Sequence, residues 1–426
     1  MEAEHHIPAD FILTGAGRLV TLAEQPVAGA NGSLRVIEHG ALAARNGRIV
    51  WIGPEAALEG AVAVEAVPKA RRLDVGGRAV LPGFVDSHTH FVFAGERAEE
   101  FHLRHEGVSY EELARQGRGI LSTVRMTRGA SEHKLEVLGR ERLRSFARHG
   151  TTTVEGKTGY GLDMPSEGRI LDVMNTLAAE PGLPHVVPTF LGAHTIPPED
   201  RGTSEGRERY VSLVVEEMLP AFAGRARFCD VFCEATAFTV EETRRILTRA
   251  KDLGYALKLH ANQLGPSGGA RLAAELGATS ADHLDFASDD ELAALERAGV
   301  VATLLPGCSF TLSTPYPVAR RFIEAGLHVA LATDLNPGTS YSENMQMMIA
   351  LAVSAMGMSL AQALRAATLE GARALGMERE VGSLEVGKRA DLIALTRRDE
   401  RELAYHFGVN LVEQTVVGGQ VVVAPD

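Results

Sequence analysis

Residues 79–90, AVLPGFVDSHTH, decide the fold of this chain, because they join an apolar run to two histidines spaced two apart. In a β-strand, residues i and i+2 point to the same side, so His88 and His90 would face one point at the end of a buried strand. Two imidazoles in that arrangement can chelate a metal ion, although an isolated His-X-His pair is more often ordinary surface or packing. The stretch therefore predicts a strand with two candidate ligands at its carboxyl end.

Seven more apolar runs follow along the chain. They are GTTTVEGKTGY (150–160), HVVPTFLGAH (185–194), ARFCDVFCEA (226–235), ALKLHANQ (256–263), TSADHLDF (279–286), VVATLLPG (300–307) and HVALATDLNP (328–337). Between them lie segments such as 131–150 and 239–254, whose apolar residues recur at helical spacing. Eight alternations of strand and helix predict an α/β fold, a (β/α)8 TIM-like barrel of parallel strands. A doubly wound open sheet is the alternative, and the count of eight argues against it.

The two ends of the chain differ from the middle in their pattern of apolar residues and turns. Residues from about 10 to 80 and the last ~50 residues contain short alternating strands separated by Gly and Asn-Gly turns. We therefore predict that residues 1–80 and 377–426 form one small composite β-sandwich domain beside a catalytic barrel at residues 81–376.

The composition excludes several functional classes. With a formal net charge of −12, the chain has no excess of positive charge that would bind nucleic acid or an anionic membrane. The three cysteines, Cys229, Cys233 and Cys308, are too few for a disulfide scaffold and favour a reducing compartment. A zinc role for Cys229 and Cys233 is disfavoured, because a second pair is absent. No apolar run reaches the ~18 residues that span a bilayer, and the first residues lack a signal-peptide core. We expect a cytoplasmic protein with no nucleic-acid or membrane partner.

Four other predicted strands also end in ionisable residues, which are rare in buried strands. These residues are His194, His260, His283 and Asp334. In a closed barrel the carboxyl ends of all strands meet at one mouth, so residues far apart in sequence become neighbours. Together with His88 and His90, they predict a metal site at the mouth.

These strand ends resemble the pattern of the amidohydrolase superfamily of metal-dependent hydrolases. Within it, longer strings are similar to the imidazolonepropionase family, and the resemblance spans nearly the whole chain. The strings are HTHFVFAGERAEEF (88–101), GVSYEEL (107–113), GILSTVRMTR (119–128), EGKTGYGL (155–162), TFLGAHTIP (189–197), SADHLDF (280–286), LLPGCSF (304–310) and ALATDLNPGTS (330–340). The resemblance implies hydrolysis of the ring C–N amide bond of 4-imidazolone-5-propanoate to N-formimidoyl-L-glutamate, a step of histidine degradation.

The resemblance also implies a single divalent or trivalent ion. Its expected ligands are His88, His90, His260 and Asp334. Three nitrogens and one oxygen suit Zn or Fe equally. Asp334 is expected to move protons between water and the leaving nitrogen, and His283 to orient or deprotonate the water or to polarise the carbonyl. In two-metal amidohydrolases, a carbamylated lysine on a middle strand bridges the two ions. Lys157 is expected instead to be an ion-pair partner of Glu155 or another carboxylate.

Substrate-binding positions follow from the same resemblance. They are Arg97, Tyr110, Tyr160, His194, Gln263, Asn336, Gly338 and Thr339. An anionic propanoate calls for an arginine, and Arg97 stands at the position that the family uses. One departure concerns HANQ at 260–263, where many members have HADE: Gln263 can donate and accept hydrogen bonds but cannot take a proton.

Two other functions compete with this interpretation. Another amidohydrolase, acting on a different cyclic amide or on a nucleobase-type heteroaromatic amine, would keep the same metal residues. A barrel that has lost catalysis and serves assembly is disfavoured, because every expected ligand position is filled. The resemblance also suggests a homodimer, and the polar segment 96–130 is expected to form a lid or an entry loop.

Overall fold

The chain folds into two β-sheets, described here from a computed structural model for residues 6–108, 112 and 118–425. The strands among these residues, in chain order, are β1 (Phe11–Val20), β2 (Ala30–Asn31), β3 (Val36–Arg45), β4 (Arg48–Pro54), β5 (Arg72–Asp74), β6 (Ala79–Pro82), β7 (Phe84–Asp86), β8 (Thr151–Lys157), β9 (His185–Ala193), β10 (Phe228–Cys233), β11 (Ala256–Ala261), β12 (Ser280–His283), β13 (Val301–Leu304), β14 (Val329–Leu331), β15 (Leu392–Leu395), β16 (Val412–Val417) and β17 (Gln420–Val423).

The barrel consists of β7 to β14, which pair in parallel in the order in which they follow one another along the chain. Just beyond β7 and β14 the ring closes, because Thr89 and Leu335 form a parallel bridge. The His90 amide donates to the Leu335 carbonyl at 2.8 Å, and the Asp334 amide donates to the His88 carbonyl at 3.0 Å. The predicted (β/α)8 barrel is confirmed, and the open-sheet alternative is wrong.

Helices lie between the barrel strands. The α-helices among the described residues are Leu58–Ala61, Ala98–His105, Ile120–Arg128, Glu132–Arg148, Met164–Ala178, Ser204–Leu213, Leu219–Phe222, Val240–Asp252, Gly269–Leu276, Asp289–Ala298, Pro306–Leu312, Ala319–Glu324, Met345–Ser354, Leu360–Ala366, Leu369–Ala374 and Glu402–Tyr405. Val214–Met218 is a π-helical turn, and short 3-10 turns occur at Glu55–Ala57, Val64–Ala66, Lys69–Arg71 and Pro198–Asp200. The helices predicted within 131–150 and 239–254 are both present.

The helix Val240–Asp252 illustrates why the sequence folds this way. Thr239 caps its first turn, with its hydroxyl accepting from the amide of Glu242 while the Glu242 carboxylate returns to the Thr239 amide. Thr243, Ile246, Leu247 and Ala250 form the buried stripe, at spacings of three and four residues. The cap sets where the helix begins, and the stripe sets which side packs on the barrel.

The second sheet is composite, since it joins β1–β6 from one end of the chain to β15–β17 from the other. Its strand order is β17-β16-β15-β6-β1-β3-β2, with β4 pairing to β3 and β5 to β1. Alternate residues of β1 pack on opposite faces, Phe11 and Leu13 in one apolar cluster and Ile12 in another. This confirms that the two ends form one small β domain beside the barrel.

The chain crosses from this sheet into the barrel at Gly83, between β6 and β7. A Cβ at Gly83 would overlap the side chain of Thr152 on β8, so the crossing needs a residue without one.

Two further expectations concern cysteines and membranes. Cys229, Cys233 and Cys308 are all buried and unpaired, and the first two lie in β10 as predicted. Within the described ranges, no helix is both long and apolar enough to cross a bilayer.

Candidate metal centre

The carboxyl ends of four barrel strands bring the predicted ligands and His283 into one buried cluster. His88 lies two residues beyond β7, His260 lies in β11, and Asp334 lies three residues beyond β14. His283 is the last residue of β12. None of the four is more than 3% exposed. Residues separated by almost 250 positions thus share one water-poor volume.

The predicted ligands and His283 form two overlapping groups of donor atoms. His88, His90 and Asp334 offer donors that all lie within 4.8 Å of one another, and so do His88, His260 and His283. In the first group, Oδ1 of Asp334 lies 3.5 Å from Nε2 of His88 and 3.9 Å from Nε2 of His90. The four predicted ligands do not all fall in one group at that spacing among the described residues. His260 joins through His88, with ring centroids 4.5 Å apart.

The backbone is strained where these side chains leave the barrel. Asp334 has φ 54° and His283 has φ 74°, values that residues with a Cβ rarely adopt. Neither residue is glycine, and such conformations persist only where the surrounding structure imposes them. At Asp334 the constraint is the hydrogen bond from its amide to the His88 carbonyl, which closes the barrel.

Burial controls the charge state of the cluster. Desolvation lowers the pKa of His88, His90 and His283 well below the ordinary value, and it lowers the pKa of His194 to about 3. The imidazoles are therefore neutral near pH 7, as ligation requires. Nε2 of His88 has no hydrogen-bond partner in the part of the chain described. A buried, neutral and unpartnered nitrogen beside a carboxylate fits a divalent cation.

Beneath the imidazoles lies a layer of buried carboxylates. Nδ1 of His88 lies 2.6 Å from Oδ2 of Asp282, and Nδ1 of His260 lies 3.0 Å from Oδ2 of Asp230. Both carboxylates are fully buried, on β12 and β10. At His88, the hydrogen bond from the ring to the Asp282 carboxylate fixes the orientation of the ring and directs its other nitrogen toward the metal side.

Two lysines neutralise most of this layer. Nζ of Lys157 lies 2.7 Å from Asp230 and 3.0 Å from Glu155, and Nζ of Lys258 lies 3.3 Å from Glu155. Burial alone would lower the pKa of Lys157, but the carboxylates of Asp230, Glu155 and Asp282 outweigh burial and raise it. The expected pairing of Lys157 with Glu155 is confirmed.

Sequence reasoning missed Asp230, Asp282 and Lys258. Their only sequence mark is a charged residue inside an otherwise apolar strand, in FCDVFC, SADH and ALKLHA. Since buried charges must be paired, three such strands in one barrel would have predicted an ion-pair layer, although not its connectivity.

Arg97 lies at the same mouth and is already paired. Its Nε donates to Oε2 of Glu100 at 3.0 Å, and its Nη2 contacts the other oxygen of that carboxylate. The Glu100 carboxylate also accepts from the amide of Gly119 at 2.9 Å. This bidentate pair holds the guanidinium plane in one orientation.

Tyr160 and His194 line the cluster beside His90. The His194 ring stacks on that of His90 at 5.0 Å with an interplanar angle of 14°. Nδ1 of His194 lies 3.1 Å from the Gly159 carbonyl. The Tyr160 ring lies 5.7 Å from His90 and 5.4 Å from His194. Tyr110, also predicted to bind substrate, lies outside the described residues.

The turn 336–339 is organised by Asn336. Its side-chain oxygen accepts from the amides of Gly338 and Thr339, both at 2.8 Å, and its amide nitrogen donates to the Asp334 carbonyl at 2.7 Å. Because the amide is used within the turn, Asn336 shapes the backbone beside Asp334.

Gln263 lies at the mouth beside Cys308. Its amide nitrogen is 3.6 Å from Sγ of Cys308, and its backbone amide donates to Glu234 at 2.6 Å. Glu234, which follows β10, was another residue that sequence reasoning missed.

The polar segment 96–130 contributes two helices at the mouth, Ala98–His105 and Ile120–Arg128. Nη2 of Arg104 donates to the Gly338 carbonyl at 3.1 Å, so the first of these helices docks on the turn beside Asp334. Residues 109–111 and 113–117 lie outside the described residues, and the lid role remains a prediction.

Known proteins match this chain in sequence along almost its whole length. The sequence model of the amidohydrolase family matches residues 79–422. An imidazolonepropionase of Symbiobacterium thermophilum is 52% identical over 421 residues, covering 98% of each chain. An imidazolonepropionase of Syntrophobacter fumaroxidans is 47% identical over 401 residues, covering 93% of each chain.

Solved structures match in fold. An adenosine deaminase from Xanthomonas campestris with bound zinc has a TM-score of 0.72 at 21% identity, covering 98% of this chain and 94% of that one. An atrazine chlorohydrolase from Arthrobacter aurescens complexed with zinc has a TM-score of 0.68 at 18% identity, covering 97% and 95%. At these identities the two structures support the fold alone.

Proposed function

This chain belongs to the amidohydrolase family, and within it to the imidazolonepropionases, and from that premise we propose how its residues open the ring of 4-imidazolone-5-propanoate. The chain is a hydrolase that acts on a carbon–nitrogen bond of a cyclic amide, and its product is N-formimidoyl-L-glutamate. The observation that carries the site assignment is one buried mouth that holds the His88–His90–Asp334 group and the guanidinium of Arg97.

We propose that His88, His90, His260 and Asp334 hold one ion, either Zn or Fe. Three imidazoles and one carboxylate suit both metals, and the carboxylates of Asp282 and Asp230 would support the rings from behind. When bound, the ion would supply Lewis-acid activation of water at neutral pH.

Proton transfer falls to Asp334. Burial raises the pKa of its carboxyl well above the ordinary value, and a cation at the site would favour its ionised form. The ionised carboxylate then accepts a proton from the attacking water and returns it to the ring nitrogen as the C–N bond breaks. The neutral His283 orients the water or the carbonyl. Gln263 can assist only through hydrogen bonds, because an amide cannot accept a proton.

Substrate orientation falls to the residues around His90. The propanoate meets Arg97, whose guanidinium is held by Glu100 and lies against the Gly338 backbone. Tyr160 and His194 flank the flat ring from the His90 side. The Asn336 turn keeps Gly338 and Thr339 next to Asp334.

The test compares two substrates that differ in one charge. Purified chain, with its metal content measured, is given 4-imidazolone-5-propanoate and the same ring without the carboxylate, and loss of ring absorbance is followed. Removal of the guanidinium in Arg97→Ala should lower kcat/KM about 10- to 100-fold for the propanoate, since a charged hydrogen bond contributes about 1.5–3 kcal/mol, and should leave the neutral ring almost unaffected.

Asp334→Asn is the matched control for chemistry, because it should abolish turnover of both substrates. An equal loss on both substrates in Arg97→Ala would refute the anion role. Turnover of a nucleobase-type amine in place of the imidazolone would favour the rival amidohydrolase activity.

A further inference from the structure

The mouth of the barrel holds a third group of donor atoms that the proposed mechanism does not need. Cys308 lies in the helix Pro306–Leu312, which follows β13, and its thiol is buried, forms no disulfide and accepts from the amide nitrogen of Gln263 at 3.6 Å. The ligand atoms of Cys308, His283 and Asp334 all lie within 4.8 Å of one another. Three different donors, sulfur, nitrogen and oxygen, therefore converge from three successive strand ends, those of β12, β13 and β14.

The two oxygens of Asp334 face different neighbours. Oδ1 faces the imidazoles of His88 and His90, at 3.5 and 3.9 Å. Oδ2 lies 3.5 Å from the hydroxyl of Thr339, which also contacts the thiol of Cys308. One carboxylate can therefore serve the His88–His90 side through one oxygen and the Cys308 side through the other.

His283 is unpartnered on this side. It is 3% exposed, and within the described ranges its Nδ1 is buried and makes no hydrogen bond. Its closest charged group is Asp285, with Oδ2 at 4.0 Å from Nδ1. A buried imidazole without a partner is costly, and a cation between it and the Cys308 sulfur would satisfy it.

We propose that His283, Cys308 and Asp334 form a second cation site that binds a thiophilic divalent ion such as Zn²⁺ or Cd²⁺, with Asp334 bridging to the first ion. A thiolate, an imidazole and a carboxylate are donors that Zn²⁺ accepts in tetrahedral geometry, and the thiolate disfavours Mg²⁺ and Ca²⁺. On binding, the S–H bond breaks, the proton leaves to solvent and an S–metal bond forms, with no change of oxidation state.

Occupancy of this second site has a functional consequence. It engages His283 and both oxygens of Asp334, the groups that move protons and orient water in the proposed mechanism. Excess zinc therefore inhibits, and Cys308 sets the concentration at which it does so.

The experiment counts ions and detects the thiolate. Chain loaded with one equivalent of metal is titrated with Cd²⁺ and desalted, and its metal is measured by mass spectrometry. The wild-type chain should retain a second ion that Cys308→Ser loses. Cys229→Ser is the matched control, because Cys229 is also buried but lies at the amino-terminal end of β10, away from the mouth. In a parallel titration, Co²⁺ should give a thiolate-to-cobalt charge-transfer band in wild type and in Cys229→Ser but not in Cys308→Ser.

Inhibition supplies the functional readout. We compare the Zn²⁺ concentration that halves each variant's own uninhibited rate. This concentration should be at least about tenfold higher in Cys308→Ser than in wild type, since even the loss of a supporting contact weakens metal sites 10- to 100-fold. The proposal is overturned if wild type gives no cobalt–thiolate band, or if Cys308→Ser keeps the second ion. The cobalt–thiolate band reports on the Cys308 thiolate and not on imidazolone hydrolysis. Either measurement can therefore be negative while the other is positive.

Discussion

Gly338, in the Asn336 turn, packs close to the guanidinium of Arg97. A Cβ added there would overlap Nη1 of Arg97 and lie 3.3 Å from Oδ1 of Asn336. The long arginine side chain can move away at small energetic cost, but it would then leave the position set by Glu100. Because the propanoate is expected to bind that guanidinium, we predict that Gly338→Ala raises KM about tenfold with a much smaller change in kcat, a loss of about 1.4 kcal/mol in binding.

Gly265→Ala is the control for this substitution. Gly265 lies in the loop after β11 at the same mouth, and a Cβ there would meet nothing within 4 Å. Its KM should stay at the wild-type value. A Gly338→Ala enzyme with unchanged KM would mean that Arg97 does not contact substrate from its present position.

The elements that matter most for the centre are the first and last barrel strands, which Asp86 and Thr333 bind together. The Thr333 hydroxyl donates to Oδ2 of Asp86 at 2.6 Å, and its amide donates to Oδ1 at 3.1 Å. Both residues are fully buried, one at the end of β7 and the other just beyond β14. This contact therefore sets the distance between His88 and Asp334, the donors that these two strands contribute.

Removing the hydroxyl should weaken both the fold and the metal site. Thr333→Val leaves one oxygen of a buried carboxyl unpaired, which costs about 1–3 kcal/mol in the free energy of unfolding. The two strand ends would also lose their register. We therefore expect the affinity of the chain for its metal to fall about tenfold, as measured by competition with a chelator.

Thr303→Val is a close match for this change. Thr303 is fully buried on β13, but its hydroxyl has no hydrogen-bond partner among the described residues, so its replacement should cost little and leave metal affinity intact. Equal losses in the two variants would show that the effect comes from replacing any buried threonine and not from the Asp86 contact.

At the scale of the whole molecule, periodicity predicts the fold because each barrel strand carries its own apolar run. The strand ends then place His88, His260, His283 and Asp334 at one mouth without any knowledge of pairing. The ion-pair layer is different, since His88 and Asp282 are 194 positions apart and no local pattern links them. Arg97 was predicted as an anion site, and its pairing with Glu100, three positions away at the start of the same helix, is a local contact that the sequence analysis missed.

A second consequence at this scale concerns how the small β domain is tied to the barrel. Glu370, in the helix Leu369–Ala374, accepts from Nε of Arg365 at 2.6 Å and from Nε of Arg373 at 3.0 Å. Nδ1 of His328, just before β14, lies 3.0 Å from the same carboxylate. Both arginines also contact Glu24, which follows β1 of the composite sheet, at 3.1 and 2.8 Å. This network, buried at Glu370 and partly exposed at its partners, therefore connects the barrel, its last helices and the amino-terminal segment.

The network makes the stability of the chain depend on pH. Burial would raise the pKa of Glu370, but the contact with His328 and the charges of Arg365 and Arg373 outweigh it, so the pKa lies below its ordinary value of 4.5. A carboxyl with a lowered folded-state pKa stabilises the fold fully above its unfolded-state value, and this contribution is lost as the pH falls through the folded-state pKa. Glu370→Gln should therefore cost about 1.5 kcal/mol in the free energy of unfolding at pH 7, the low end for hydrogen bonds to charged groups because the partners are partly exposed, and the difference from wild type should shrink steadily below pH 4.5.

Urea unfolding of both chains from pH 7 down to about pH 3 measures that difference directly. Glu380→Gln provides the baseline, because Glu380 pairs with Arg48 at 3.2 Å where both side chains are 51% exposed, and such surface pairs contribute less than about 1 kcal/mol. If Glu370→Gln and wild type differed by the same amount at every pH, the Glu370 carboxylate would stabilise the junction by packing and not by charge.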